Sequence, residues 1–424
     1  MLWALLLIVL LRLILPTLAQ RVGVALPNYA AGGLALLSAV AFAMRYGGRL
    51  YPHAMHGDIG WHTNRFNEAL WGTVYILSRN RGIDFAYPPG PYLLVAPFTL
   101  VGVEVPMLLQ FGAALLDALS AVLIYVLATK AARPAVGLLA AAIYTLTAAT
   151  FMTTWWSFDT HIYSQFLLLL ALTSVVLASE RWQGAVSQPK RRWILVSGMA
   201  LLLVFVGHFG FFINTALLGA LALAAALVPL VRGVKGARNL LIPAALAYSG
   251  ALILAIGFFY SAYVPLLLAQ AQTAASGGLT ELADKEPIGR DLLWRNLWQA
   301  GFVAHYGLFP VLLAPMGTWL LVRQARSERN LAAAVICALM LATFVVSALF
   351  AAMPFITQVN SSTRWLMFAG WAIAVASALA IDRLWRWSWI NKLAVGAMAL
   401  FVLGNTAYYW LGPMLWRIRP PEPF

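Results

Sequence analysis

The chain has 424 residues, of which 62% are hydrophobic and only 10% are charged. A soluble domain is about 45–50% apolar and about 25% charged, so the composition excludes a water-soluble globular protein. The formal net charge is +14, but the basic residues follow the pattern of membrane proteins, and we expect no nucleic-acid partner. The single cysteine, Cys337, excludes an intrachain disulfide and a cysteine-based metal site.

About twelve apolar segments are long enough, or nearly so, to cross a membrane as helices of about 20 residues. They are residues 2–19, 23–44, 107–129, 135–152, 160–179, 193–212, 213–231, 239–262, 300–322, 330–352, 364–381 and 393–415. The first segment lacks a preceding basic region and contains Arg12, so we expect a retained helix and not a cleaved signal peptide. The predicted fold is therefore all-α, a polytopic transmembrane bundle forming one integral membrane domain over residues 1–424, with no separate soluble domain.

Basic residues orient this bundle. Five short loops between the segments hold more than half of the 28 lysines and arginines: Lys130 and Arg133; Arg181, Lys190, Arg191 and Arg192; Arg232, Lys235 and Arg238; Arg323, Arg326 and Arg329; Arg383, Arg386 and Lys392. The positive-inside rule places these loops in the cytoplasm. The opposite, extracytoplasmic side then receives the two long loops, 45–106 and 263–299. We expect a multi-pass plasma-membrane protein whose functional groups lie in the extracytoplasmic loops.

Tryptophans stand at the ends of many apolar segments. Amphipathic rings favour the membrane interface, so this pattern predicts an aromatic belt. The residues are Trp155, Trp156, Trp193, Trp294, Trp298, Trp365, Trp385, Trp387 and Trp389.

The first outer loop contains two predicted elements. Residues 62–80 place Phe66, Leu70, Val74 and Leu77 on one helical face, which predicts an amphipathic helix at the membrane surface. Residues 87–103 are apolar but short and rich in proline, which favours a re-entrant half-helix over a full crossing.

Two acids are candidates for catalysis. Asp58 precedes the amphipathic helix, and Asp159 lies in the turn between two spans on the same predicted face. Together they could remove a proton from an acceptor or bind a divalent cation. Asp58 is also in position to be an ordinary helix N-cap, and Asp159 to be an ordinary turn residue. His56 and Glu68 in the same loop, and His161 after Asp159, are candidate binding residues.

Two further ionisable residues occupy unusual places. Arg364 lies at the outer end of a span, against the charge bias, where its guanidinium would suit a phosphate group or a lipid headgroup. Asp117 lies inside the span 107–129, where a charge is costly and usually faces the bundle interior, so we expect it to pair internally or line a cavity.

Read in order, these residues resemble the membrane glycosyltransferases of the GT-C superfamily, which include dolichyl-phosphate-mannose–protein mannosyltransferases and aminoarabinose transferases. The matching features are Asp58 in the first outer loop, Tyr87 to Pro97 (YPPGPYLLVAP), Asp117 in the following span, Asp159, and Arg364-Trp365 opening a late span. Two positions depart from the family: Ile59 replaces the second acid of the protein mannosyltransferases, and Gly90 replaces the usual leucine.

The resemblance implies a glycosyltransferase that moves a hexosyl or pentosyl group from a polyprenyl-phosphate donor to a lipid, glycan or protein acceptor at the extracytoplasmic face. Asp58 would be the base, Asp159 its partner, and Arg364 would steady the leaving phosphate. The remaining substrate contacts would come from His56, Glu68, Tyr87, Pro88, Pro89, Asp117 and His161. No cofactor is certain, and a divalent cation, Mg²⁺ or Mn²⁺, is left open at Asp58 and Asp159. Membrane lipids are expected partners.

Two alternatives stay open at this point. A transporter or lipid flippase would place ionisable residues along a path at the membrane midplane, and Asp117 is the residue that favours it. A non-catalytic relative is favoured by the departures at Ile59 and Gly90. The sequence contains no P-loop, HExxH or GxSxG motif, which disfavours ATP-driven transport and zinc proteolysis.

Overall fold

The structure of the chain, a computed structural model, describes residues 2–47, 57–80, 83–180, 191–231, 237–275, 288–327, 331–357 and 364–416. Helices dominate these residues, as expected where no water is available to satisfy backbone N–H and C=O groups. The first eight α-helices are α1 (Leu2–Val22), α2 (Asn28–Gly47), α3 (Ile59–Leu70), α4 (Gly90–Val95), α5 (Val105–Ala131), α6 (Pro134–Leu146), α7 (Ala148–Trp155) and α8 (Asp159–Glu180).

The second half of the chain continues in the same style. Its α-helices are α9 (Arg191–Phe205), α10 (Phe209–Val231), α11 (Ala237–Phe258), α12 (Val264–Ala275), α13 (Arg290–Arg295), α14 (Phe309–Ser327), α15 (Leu331–Thr357), α16 (Arg364–Phe368), α17 (Gly370–Trp385) and α18 (Trp389–Leu415). Two 3₁₀ helices (Ala96–Val101 and Tyr260–Tyr263) and a π-helix (Asn296–His305) adjoin them.

Eight of the described helices are long and apolar enough to cross a membrane, and ten spans result if each of two bent helix pairs counts as one. The pairs are α6 with α7, bent by 40°, and the segment 290–305 with α14, bent by 84°. The predicted count of about twelve is not confirmed, because the predicted segments 193–212 and 364–381 form the shorter helices α9 and α17. The segment 300–322, predicted as one straight span, is broken at residues 306–308.

The first outer loop is only partly as predicted. The amphipathic helix exists, but it covers Ile59–Leu70 and ends at Trp71. The remainder of the predicted helix 62–80 forms β1 (Ile76–Asn80), which pairs antiparallel with β2 (Ile83–Tyr87), Ile76 lying opposite Tyr87. The all-α prediction therefore misses this hairpin. The proline-rich segment does form a short helix, α4, extended by the 3₁₀ helix Ala96–Val101.

Two ends of the bundle are fixed by contacts between distant loops. At one end, Arg133 and Arg386 both bind the carboxylate of Asp382, with N–O distances of 2.5 Å, and Lys130 Nζ donates to the carbonyl of Gly23 at 2.7 Å. These basic residues come from loops that the charge bias predicts to be cytoplasmic. The structure thus brings two of those five loops, the one with Lys130 and Arg133 and the one with Arg386, to one end of the bundle.

At the other end, the hairpin of the first long loop packs against the second. The Tyr263 hydroxyl donates to the carbonyl of Ile76 at 2.9 Å, and the Tyr75 hydroxyl donates to the carbonyl of Phe258 at 3.2 Å. The segment 263–299, predicted as a loop, is helical in its described parts, α12 and residues 290–299. Both long segments therefore build one surface.

Inside the bundle, Asp117 forms an ion pair with Arg45. Both side chains are almost completely buried, and the Tyr144 hydroxyl also donates to Asp117 at 3.3 Å. The Arg45 guanidinium additionally donates to the carbonyl of Ala41 and to the carbonyl of Thr145. The expected internal pairing of Asp117 is confirmed, and its partner comes from α2.

The aromatic belt is found only in part. Trp294, Trp298, Trp385, Trp387 and Trp389 are exposed, as an interfacial position requires. Trp155 and Trp156 are instead buried, in a cluster with Phe158, Ala304 and Met367, among others. The paired tryptophans at the end of α7 therefore support the interior of the protein and do not face lipid.

The buried ion pair generates a stability prediction. Asp117→Asn leaves the Arg45 charge buried without its counter-ion, and breaking a buried pair costs roughly 3–5 kcal/mol. We expect a large fall in the free energy of unfolding in detergent micelles. The matched control is Asp382→Asn, whose partners are half-exposed, so that its loss costs about 1 kcal/mol or less. Equal effects of the two substitutions would contradict this account.

Candidate active site

A backbone hydrogen bond joins the first outer loop to the turn between α7 and α8. The amide of Asp58 donates to the carbonyl of Trp156 at 3.0 Å. The preceding residue, Gly57, has a φ of +93°, and a Cβ atom placed there would lie 2.1 Å from the same carbonyl oxygen. Only glycine allows this approach without displacement of one chain. Asp58 is thus held beside the turn that leads into Asp159.

The turn between α7 and α8 has its own constraints. Ser157 has a φ of +56°, in the left-handed region that non-glycine residues rarely adopt. Its amide donates to the carbonyl of Thr154, the amide of Phe158 donates to the carbonyl of Thr153, and Gln110 of α5 donates to the Ser157 hydroxyl at 3.1 Å. The surrounding contacts hold this conformation, which starts α8 at Asp159.

The two candidate acids occupy different environments. Asp58 is exposed at the N-cap position of α3, yet its side chain accepts no capping hydrogen bond. Asp159 is the first residue of α8 and is only 6% exposed. Burial raises the pKa of the nearby Tyr87 phenol above its ordinary value, and the carboxylates of Asp58 and Asp159 raise it further. Both carboxylates therefore disfavour the ionised form of the Tyr87 phenol.

Tyr87 belongs to a buried hydrogen-bond network. Its hydroxyl lies 2.9 Å from Oγ1 of Thr160, the residue after Asp159, and 3.5 Å from Nδ1 of His62. His62 Nδ1 lies 2.7 Å from the hydroxyl of Tyr92. The network ties α3, which begins after Asp58, to β2, α4 and the first turn of α8. His62 was not selected from the sequence, although its place one turn after Asp58 could have indicated it.

The YPPG segment is buried and packs closely on the end of α9. Tyr87, Pro88 and Pro89 are buried, and the amide of Gly90 donates to the carbonyl of Val206 at 3.0 Å. A Cβ atom on Gly90 would lie 2.4 Å from that carbonyl oxygen. The departure from the family leucine therefore has a steric reason in this chain.

The other predicted site residues are distributed around this centre. His161 is buried, with its ring centroid 5.9 Å from that of His208 and 4.7 Å from that of Phe211. Glu68 forms a two-point ion pair with Arg65 on the same helix, with N–O distances of 2.9 and 2.7 Å. Asp117 and His161 line one internal cavity, which extends inward from the first turns of α8.

Two predicted residues fall partly or wholly outside the described residues. His56 lies outside them, as do residues 358–363. Arg364 is described in its backbone, as the first residue of α16. This helix reaches the candidate site: the Thr153 hydroxyl lies 3.4 Å from the Met367 sulfur, and Phe368 contacts Phe211 with a centroid distance of 5.5 Å.

The two acids could hold a metal ion only with further ligands. Within the described ranges, no three His, Cys, Asp or Glu side chains lie close enough together to hold a metal ion. Mg²⁺ prefers about six oxygen ligands, which Asp58 and Asp159 alone do not supply. The described residues do not make a complete metal site.

Comparison with known proteins identifies the fold. No family model and no curated protein matches the sequence. The crystal structure of an Archaeoglobus fulgidus oligosaccharyltransferase tethered to an acceptor peptide with an NVT sequon is similar, with a TM-score of 0.59, 14% identity, and coverage of 93% of this chain and 56% of that chain. The Archaeoglobus fulgidus oligosaccharyltransferase AglB, with an inhibitory peptide and a dolichol-phosphate, has a TM-score of 0.55, 13% identity, and coverage of 93% and 56%.

ArnT from Cupriavidus metallidurans, bound to undecaprenyl phosphate, has a TM-score of 0.51, 18% identity, and coverage of 91% of this chain and 66% of that chain. The chain thus spans about half the length of the oligosaccharyltransferase and about two thirds of ArnT. The shared feature is the fold, and it agrees with the GT-C resemblance of the sequence.

Gly57 provides a test of the site's construction. Gly57→Ala forces a side chain into a left-handed backbone position and against the Trp156 carbonyl, so we expect a loss of more than about 1 kcal/mol in the free energy of unfolding. Gly60 is the matched control, since no described atom lies within 4 Å of the place that a Cβ would take there, and alanine in α3 should stabilise by about 0.5–1 kcal/mol. Thermal unfolding in detergent would show the opposite signs. A neutral Gly57→Ala would refute the docking contact.

Proposed function

We propose that this protein is a membrane glycosyltransferase that transfers a hexosyl or pentosyl group from a polyprenyl-phosphate donor to an acceptor hydroxyl. The observation that carries the proposal is the hydrogen bond from the Asp58 amide to the Trp156 carbonyl, which holds Asp58 beside the turn that leads into Asp159, within a fold shared with AglB and ArnT. Those structures contain dolichol-phosphate and undecaprenyl phosphate respectively. A lipid-phosphate donor is therefore the substrate class that the fold best supports.

The two acids suit the proton transfer of such a reaction. The acceptor oxygen forms a bond to the anomeric carbon while the bond from that carbon to the phosphate oxygen breaks, and the acceptor proton passes to a carboxylate. Asp58 is the base in this proposal, because it is exposed to an incoming acceptor whereas Asp159 is buried. Asp159, at the start of α8, is its partner and places a second negative charge beside the reacting hydroxyl.

The leaving group needs a cation, and Arg364 is proposed to supply it. The polyprenyl phosphate departs as an anion, and a guanidinium can bind two of its oxygens at once. Arg364 starts α16, which packs near α7 through Met367 and Thr153. The remaining predicted contacts, His56, Glu68, Pro88, Pro89, Asp117 and His161, stay proposals at this site.

The acceptor and the membrane face are proposed more broadly. The acceptor class is a lipid, a glycan or a protein. We propose an extracytoplasmic site, since the loops of Arg133 and Arg386, which the charge bias predicts to be cytoplasmic, lie at the other end of the bundle. The transport alternative gains no support from Asp117, since Arg45 neutralises its charge. A transport path that binds a cation at the membrane midplane would require the Asp117 carboxylate to be available to that cation.

Turnover provides the direct test. Full-length protein in nanodiscs is incubated with radiolabelled undecaprenyl-phosphate hexoses and a membrane-extract acceptor, and release of undecaprenyl phosphate is measured. Loss of a general base typically costs 10²–10⁴-fold, so we expect Asp58→Asn and Asp159→Asn to lower turnover by about that factor. Asp84→Asn, on the exposed hairpin, is the control and should keep the wild-type rate.

The result that would contradict the proposal is equally specific. Wild-type-like release by both Asp58→Asn and Asp159→Asn would remove the acids from catalysis. Solute or lipid flux through vesicles that depends on Asp117, with no donor turnover by the wild type, would replace the transferase by a transporter.

A further inference from the structure

Three breaks in the helices meet at one internal cavity. α6 ends and α7 begins around Thr147, the π-helix and α14 are separated at Tyr306, and α16 gives way to α17 before Gly370. All three of these residues line the cavity, together with Asp117, His161 and Gln165. Broken helices inside a membrane are tolerated where they border a cavity or buried protein, and they commonly build binding sites.

Three carbonyl groups near these breaks already accept hydrogen bonds from side chains. Arg45 donates to the carbonyl of Thr145, and Thr406 donates to that of Leu146 at 2.6 Å. The Tyr306 hydroxyl donates to the carbonyl of Leu366 at 2.5 Å. These three carbonyls therefore do not need a ligand.

Gln165 is different. Its side chain is 5% exposed, it lines the cavity, and neither its amide nitrogen nor its amide oxygen has a hydrogen-bond partner among the described residues. A buried polar group without a partner is costly, and such groups in native proteins usually await water or a ligand. A carboxamide both donates and accepts, which matches a hydroxyl group.

The volume and the charge of the cavity restrict the kind of ligand that it can hold. The cavity has about 20 Å³ of space, enough for one or two water molecules and not for a whole sugar ring. Its carboxylate, Asp117, is neutralised by Arg45, so the cavity does not call for a cation. A single neutral hydroxyl group fits both limits.

Resting on the proposed function, we propose that this cavity is a subsite that receives one hydroxyl group of the donor's sugar, held by the amide of Gln165. Asp159, His161 and Gln165 follow one another along α8, and the last two line the cavity. At about 1.5 Å of rise per residue, His161 lies about 3 Å and Gln165 about 9 Å along the helix from Asp159. A sugar positioned between the two acids would project one hydroxyl into it. Gln165 then determines which sugar the protein accepts.

The test measures binding without turnover. Full-length protein in nanodiscs, with no acceptor, is titrated by native mass spectrometry with undecaprenyl-phosphate-linked glucose, mannose and galactose and with their single-deoxy analogues. Wild type should bind at least one parent sugar about tenfold or more tightly than one of its deoxy analogues, because the deoxy sugar leaves Gln165 buried and unpaired. Gln165→Met should bind that pair equally.

The control is Thr173→Val, which also replaces a buried polar group of α8 but lies two turns beyond the cavity. It should discriminate as wild type does. If Gln165→Met does not fold, Gln165→Asn, which withdraws the amide by one methylene, should reduce the discrimination instead.

Two results would overturn the subsite. Equal binding of every parent and deoxy sugar by wild type would indicate that the cavity holds only water. Retained discrimination in Gln165→Met would show that the sugar hydroxyl binds elsewhere. Because the binding test contains no acceptor and needs no turnover, failure of the separate turnover assay would count against the proposed function and would leave this binding result readable.

Discussion

One backbone hydrogen bond, from the amide of Asp58 to the carbonyl of Trp156, joins the two halves of the candidate site. Asp58 comes from a long polar loop and Asp159 from a tight turn between helices, so nothing local brings them together. The contact requires a glycine at position 57 and a left-handed Ser157, and it is supported from below by the buried Trp155 and Trp156. The Tyr87–His62–Tyr92 network and the Gly90–Val206 contact then fix the rest of the first loop against α8 and α9.

The bundle and several of its parts were predictable from the sequence because they follow from local properties. Long apolar segments must be helical in a bilayer, and a buried aspartate such as Asp117 needs a partner. The charge bias correctly grouped Arg133 and Arg386 in loops at one end. The span count was less certain, since α9 and α17 are short and the break at Tyr306 interrupts an apolar run that looks continuous in the sequence.

Other features depend on tertiary contacts that no local pattern reveals. Leu77 continues the apolar helical face of Phe66, Leu70 and Val74, yet it lies in β1, which pairs with β2, and Tyr263 reinforces that pairing. Trp155 and Trp156 have the composition of an interfacial pair but are covered by α16 and the π-helix region. The positions of His62 and Gln165 depend on tertiary contacts: His62 is placed by the docking of the first loop, and Gln165 faces a cavity that forms where the helix breaks come together.

Together these contacts describe a site with two levels: an outer level where the Asp58 backbone docks on the turn before Asp159, and an inner level where a cavity is lined by Asp117, His161 and Gln165. The outer level would perform the proton transfer, and the inner level would orient the sugar. The helix breaks border this cavity, and three carbonyl groups near them accept side-chain hydrogen bonds.

The central claim is that the first outer loop docks on the α7–α8 turn and so brings Asp58 close to Asp159. The most direct measurement is a cryo-electron-microscopy structure of the full chain in lipid nanodiscs. The account predicts that the Asp58 amide lies within hydrogen-bonding distance of the Trp156 carbonyl and that the Asp58 and Asp159 carboxylates face the same space. Carboxylates more than about 12 Å apart, or facing different cavities, would contradict it, because contacts of about 2–3 Å could not then join them to one hydroxyl group.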